Sequence, residues 1–122
     1  MANQVEVSIS ARVLNGSLDK GFEHPPGSYE QVNQGADDPV VTVGAAETTI
    51  SFANLTTPSL IVLHNLSDTA IVTWGPDSGG VMVGGFELAP GRTSHVYAAS
   101  GLILKMLSDT AGTKVRVFML EA

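Results

Sequence analysis

The chain has 122 residues, of which 43% are hydrophobic and 15% charged, and six basic against twelve acidic side chains give it a formal charge of −6. This length suits one domain with a real core. The acidic balance and the scatter of the basic residues argue against a nucleic-acid partner, and the absence of cysteine excludes disulfides and thiolate chemistry. No apolar run approaches the roughly 20 residues of a membrane span, and no basic segment leads into an apolar one as in a secretory signal. The expectation is a soluble protein made in a cytoplasm, with no membrane partner.

Residues 3–14 alternate. Val5, Val7, Ile9, Ala11 and Val13 fall on one face and Glu6, Ser8, Ser10 and Arg12 on the other. This predicts a half-buried strand with one side to the core, stopped by Asn15-Gly16. Residues 15–39 hold three prolines and four glycines. They predict a long irregular excursion with one short strand around Ser28–Val32, and long loops inside small domains are usually functional or packed on something. Phe22 and Tyr29 are the apolar anchors that would pin it to this subunit or a neighbour.

Val40–Val43 and Thr48–Phe52 read as strands separated by Gly44–Glu47. Leu60–Leu63 and Ala70–Trp74 are short and rich in β-branched residues, so each reads as a buried strand. With the polar turn Asn65–Thr69 between them they predict a hairpin at the centre of the core. Gly75-Pro76-Asp77-Ser78-Gly79-Gly80 reads as a loop. Strands at Val81–Val83 and Phe86–Leu88 follow. Pro90-Gly91 then suits the two central positions of a type II turn. Residues 93–98 alternate, Ser100-Gly101 breaks the chain, and Leu102–Leu107 is apolar on both faces except at Lys105. Ser108–Gly112 is a turn, and Lys114–Leu120 is the last strand.

No stretch shows a helical period. The pattern predicts a single all-β domain over residues 1–122, an antiparallel, jelly-roll-like β-sandwich of about eight to ten short strands. The last two strands carry apolar residues on both faces. Part of that sheet is therefore expected to be covered by another subunit, in a homo-oligomer such as a dimer or trimer.

Chemical motifs are weak. Asp77-Ser78-Gly79-Gly80 after Gly75 resembles the surroundings of the nucleophile in trypsin-like proteases. Pro76 departs from that pattern, His64 lies inside an apolar run, and the chain is too short for a double-barrel protease, so no enzyme is expected. His24, His64 and His95 lack ligand spacing, and Asp37-Asp38 lacks an oxygen-rich loop, so no metal and no cofactor are expected. Asn15-Gly16-Ser17, Asn54-Leu55-Thr56 and Asn65-Leu66-Ser67 match the glycosylation pattern but read as turns. Trp74, Phe86 and Tyr97 would suit a sugar platform, although core packing is the commoner use of so few aromatics.

One ordered arrangement is more specific. Thr57-Pro58 precedes an apolar strand ending in His64-Asn65-Leu66. Thr69–Trp74 leads into Gly75–Gly80, Phe86-Glu87-Leu88-Ala89-Pro90-Gly91 follows, and the chain closes on Phe118-Met119-Leu120-Glu121. This resembles a group of small virion structural proteins of tailed bacteriophages. In them an "RNL" or "HNL" strand end, a "GP(D/E)SGG" loop, an "L-x-PGE"-like turn and an "LLED"-like last strand recur in that order. The resemblance covers about residues 40–122. It departs at Arg92, where an acid is common, and at Glu121-Ala122.

The resemblance implies a non-enzymatic capsid cement (decoration) protein on the virion surface, bound to the major capsid protein or other virion proteins. Its alternatives are a tail, neck or fibre protein and a carbohydrate-binding module at the virion surface. The expected contact surface is segments 2–4 and 15–39 with the loop 75–80, in particular Phe22, Pro25, Pro26, Tyr29, Pro76, Asp77 and Ser78.

Overall fold

Short alternating or fully apolar runs favour strands, and in the computed structural model the described residues form strands and no helix. The structure describes residues 4–30, 36–52, 55, 58–98 and 102–121, the side chains of Gln4 and of residues 24–30 excepted. Residues 2 and 3, Val32, Asn54, Thr56, the break at Ser100-Gly101 and Ala122 lie outside the described residues. In chain order the strands are β1 (Gln4–Asn15), β2 (Leu18–Glu30), β3 (Ala36–Asp37), β4 (Val40–Val43), β5 (Thr48–Thr49) and β6 (Pro58–Asn65). They continue with β7 (Val72–Ser78), β8 (Val81–Met82), β9 (Phe86–Leu88), β10 (Thr93–Tyr97), β11 (Leu104–Ser108) and β12 (Thr113–Glu121). The chain forms two compact units, Met1–Gln34 and Gly35–Ala122.

The second unit is a sandwich of two antiparallel sheets. In the first, β6 lies between β10 and β12, and the far side of β12 pairs with β4 and then β3. Thr113 to Arg116 oppose Val43 to Val40, and Met119 and Leu120 continue the same register onto Asp37 and Ala36. β3 and β4 thus form one edge interrupted at Asp38-Pro39. In the second sheet the order is β5-β11-β7, and the far side of β7 pairs with β9 and then β8. The eight principal strands are ordered β4-β12-β6-β10 and β5-β11-β7-β9. Among them only β7 and β9 follow one another within a sheet. This is jelly-roll connectivity, the architecture expected from the number of short strands.

The core lies between the sheets. Val43, Ile61, Leu63, Val115, Val117 and Met119 come from the first sheet, and Val72, Trp74, Leu88, Leu104 and Met106 from the second, with Ile50 and Leu55 closing the cluster. Each strand contributes alternate residues, as period-two patterning requires.

The expected central hairpin is not formed. β6 and β7 belong to different sheets, and residues 66–71 arch across the core between them. Both strands have one apolar face turned inward, and burial of both faces is achieved across the core rather than side by side. The arch is fixed by Asn65, which is fully buried. Its Nδ2 donates to Ala70 O at 2.8 Å and Leu88 O at 3.1 Å, and its Oδ1 accepts from Ser67 N–H at 3.0 Å. Ser67 Oγ accepts from Thr69 and Ala70 N–H. A second polar knot closes the β11–β12 arch. Thr113 Oγ1 donates to Thr110 O at 2.7 Å and lies 2.7 Å from Ser108 Oγ, which accepts from Thr110 N–H. The type II turn at Pro90-Gly91 forms as expected: Gly91 has φ 69° and Arg92 N–H donates to Ala89 O at 3.0 Å.

The first unit corrects a second expectation. The stretch expected as an irregular excursion is largely strand: 18–30 form β2, which pairs with β1 from Asn15↔Leu18 to Gln4↔Glu30. Gly16, at φ 60°, followed by Ser17 at negative φ, turns the chain with the φ signs of a type II′ turn. The register slips by one residue where Pro25 and Pro26 oppose Ser8. Proline has no N–H for the ladder, and a bulge accommodates the pair. The apolar face of β1 is also more open than a half-buried strand predicts. Val5 is buried and Val7 half-buried, but Ile9, Ala11 and Val13 are exposed.

Candidate interaction surfaces

Three surfaces hold the residues singled out in the sequence. The first is the hairpin β1–β2. Register puts Ala11 opposite Phe22, Val13 opposite Lys20 and Asn15 opposite Leu18, so Ile9, Val13, Leu18 and Phe22 share a face. Phe22 is 59% exposed, and Leu14, on the other face, 66%. Ala11, Arg12, Val13, Lys20, Gly21 and Phe22 line a shallow groove on the hairpin. Arg12 spans to Asp19 through two hydrogen bonds of 3.2 and 3.3 Å. Pro25, Pro26 and Tyr29 lie on β2, where only the backbone is described.

The second surface is the Gly75–Gly80 segment, expected as a loop. Most of it is strand: Gly75 to Ser78 continue β7, and only Gly79 and Gly80 turn. Both have positive φ, 65° and 89°, which a two-residue type I′ turn requires. Pro76 sits where β7 changes partner, from Trp74↔Phe86 on β9 to Asp77↔Met82 on β8, so its missing N–H leaves no rung open. Gly85 faces the same spot, and a Cβ there would lie 2.6 Å from Thr73 Cγ2.

The hairpin is anchored by Lys105, the one charge in its strand. Its Nζ donates to Gly80 O at 2.6 Å and lies 3.3 Å from Asp77 Oδ1 and 3.6 Å from Glu47 Oε2. Glu47 Oε1 in turn accepts from Met82 N–H at 3.1 Å. Asp77 Oδ1 accepts no aligned hydrogen bond, so its pairing with the ammonium is electrostatic. Asp77 and Pro76 are therefore half-buried structural members, while Ser78 is exposed beside the turn, with Val81 and Val83 exposed beyond it.

The third surface is the outer face of the first sheet. Rows run across the strands: Val40, Arg116, His64 and Thr93, then Phe118, Val62 and His95. Val62, His64, Thr93, Arg116 and Phe118 line a depression there. Arg116 holds Asp38 bidentately, Nε to Oδ1 at 2.8 Å and Nη2 to Oδ2 at 2.6 Å. Those hydrogen bonds hold the Asp38 carboxyl below its usual range and the guanidinium above its own. Lys114 Nζ donates to Thr42 Oγ1 on the same face.

No family model matches this chain, and no curated protein or solved structure matches it.

Ser78 and His64 lie on different sheets, on β7 and β6. Among the described residues no three His, Asp or Glu side chains converge as metal ligands. Trp74 is buried against Phe86, ring centroids 5.0 Å apart, while Tyr97 stands on the other sheet, so the three aromatics do not make one platform. Phe22 was singled out in the sequence, but the exposure of Ile9, Val13, Leu14 and Leu18 on the same hairpin and the anchoring role of Lys105 were not. Asn15-Gly16 at the end of the alternating run, with Leu18 and Phe22 beyond it, was the signal for the first, and a lone lysine in an apolar strand for the second.

Proposed function

We propose that this chain is a non-enzymatic virion structural protein, a capsid cement (decoration) protein. It would bind the outside of a phage head and tighten the joints between capsid subunits. The observation that carries this is the β1–β2 hairpin. Among the described residues β1 and β2 make a sheet of two strands only, a size that is marginal in water by itself, and it turns Ile9, Val13, Leu14, Leu18 and Phe22 toward solvent. Such a surface is suited to a protein partner. The ordered turn motifs of residues 40–122 favour the virion as its setting, and the major capsid protein as partner. Each copy would contribute a modest apolar contact, made strong by repetition around the shell.

The test compares heads with and without the protein. Protein-free heads should release DNA at a lower temperature and regain stability when purified protein is added. Equal thermal stability in both would overturn the assignment. A copy number of tens or fewer per particle, in place of hundreds, would move the protein to the tail, neck or fibre.

A further inference from the structure

Among the described residues β1 pairs with β2 alone, so one edge of a twelve-residue strand has no partner. The two edges of the hairpin are not equivalent. β2 carries Pro25-Pro26 and a register slip, which blunt its edge against further pairing, whereas β1 contains neither proline nor glycine. The two-residue turn makes Asn15 and Leu18 a hydrogen-bonded pair. Odd-numbered residues of β1 therefore direct their N–H and C=O groups to β2, and the even-numbered ones direct theirs to the free edge.

The sequence along that edge is complementary to itself. Val5-Glu6-Val7-Ser8-Ile9-Ser10-Ala11-Arg12-Val13 is nearly a palindrome about Ile9. Two copies laid antiparallel about a twofold axis at Ile9 would put Val5 opposite Val13, Glu6 opposite Arg12, Val7 opposite Ala11, Ser8 opposite Ser10, and Ile9 opposite itself. Unlike charges face each other twice by symmetry, and within Val5–Val13 every apolar residue meets an apolar one. The parity is also correct. Glu6–Arg12 and Ser8–Ser10 join groups that already point to the free edge, and the apolar pairs take the non-hydrogen-bonded positions, where side chains approach most closely.

We propose that β1 is a homotypic interface: the occupant of its free edge is β1 of a second copy, in an isologous antiparallel pair centred on Ile9. The two hairpins then form one four-stranded ribbon, a size at which a sheet can be stable. Arg12 reaches Asp19 of its own hairpin and Glu6 of the other copy. This interface is independent of the virion assignment, since it concerns purified protein in the absence of any particle.

The experiment is the mass in solution of the full chain by light scattering at about 100 µM, well above a micromolar Kd. Wild type should be a dimer or a multiple of one. Glu6→Arg, which sets like charges opposite each other twice, should weaken association by about tenfold or more. The double variant Glu6→Arg/Arg12→Glu should restore it, a recovery that a folding defect would not give. Ile9→Cys in this cysteine-free chain should form an intermolecular disulfide on mild oxidation, since Cα atoms of a non-hydrogen-bonded pair lie about 4.5 Å apart. A monomeric wild type, or a charge swap that fails to restore association, overturns the proposal.

Discussion

Asn65 and Asp38 show how differently polar residues act in one sheet. Asn65 is fully buried and makes three hydrogen bonds to the backbone. Asn65→Ala would take the Nδ2 donor from the Ala70 and Leu88 carbonyls and the acceptor from the half-buried Ser67 N–H, and should cost about 2–4 kcal/mol in urea unfolding. Asp38 is exposed, and its carboxyl is depressed below 3.8 by hydrogen bonds from Arg116. The unfolded state therefore binds its proton more tightly than the folded one. The stabilisation is complete above 3.8 and is lost as pH falls through the lower folded value. Asp38→Asn should flatten this part of the acid-unfolding profile, and salt should shrink the difference, as expected of an exposed pair. At the sequence level Asn65 looked like one of four polar residues in a five-residue turn. Its burial depends on Leu88 lying across the core, which no local pattern encodes.

At the scale of elements, strand positions were legible and their partners were not. Val40–Val43, Phe86–Leu88 and the last strand fall where alternation puts them. Leu60–Leu63 and Ala70–Trp74 are also strands, but the five-residue turn between them suits an arch between sheets as well as a hairpin, and only core geometry decides. The proline pair hid β2, because proline usually argues against a strand and here is absorbed by a bulge. Gly79 and Gly80 are each required by sign of φ. Gly79→Asn should be nearly neutral and Gly79→Val should cost about 1–2 kcal/mol. Gly85→Ala fails for another reason, contact with Thr73, and should cost about 1–3 kcal/mol in the same urea titration. Phe22→Asp should reduce binding to heads without moving the unfolding midpoint of the sandwich, because Phe22 lies outside the core cluster.

On the scale of the whole molecule, class and connectivity agree with an all-β sandwich, and the core cluster lies entirely within residues 43–119. A chain beginning at Gly35 should therefore keep a cooperative unfolding transition, read from Trp74, the single tryptophan. Loss of that transition would show that the sandwich needs residues 1–34 to fold. Function was far less legible than fold, because turn motifs report which backbone bends are required and carry no record of what the finished surface touches.

Jelly-roll winding also sets the order of events in time. Within the sandwich Val43 must find Thr113, and Thr49 must find Lys105, before either sheet has its edge. The β1–β2 ribbon closes around a two-residue turn. Hairpins form in about 1–10 µs, whereas β-proteins dominated by distant pairings take milliseconds to seconds. On a ribosome, then, the first thirty residues can sample their ribbon while most of the chain that closes the sandwich is still unsynthesised. Neighbouring nascent chains would meet through that ribbon first.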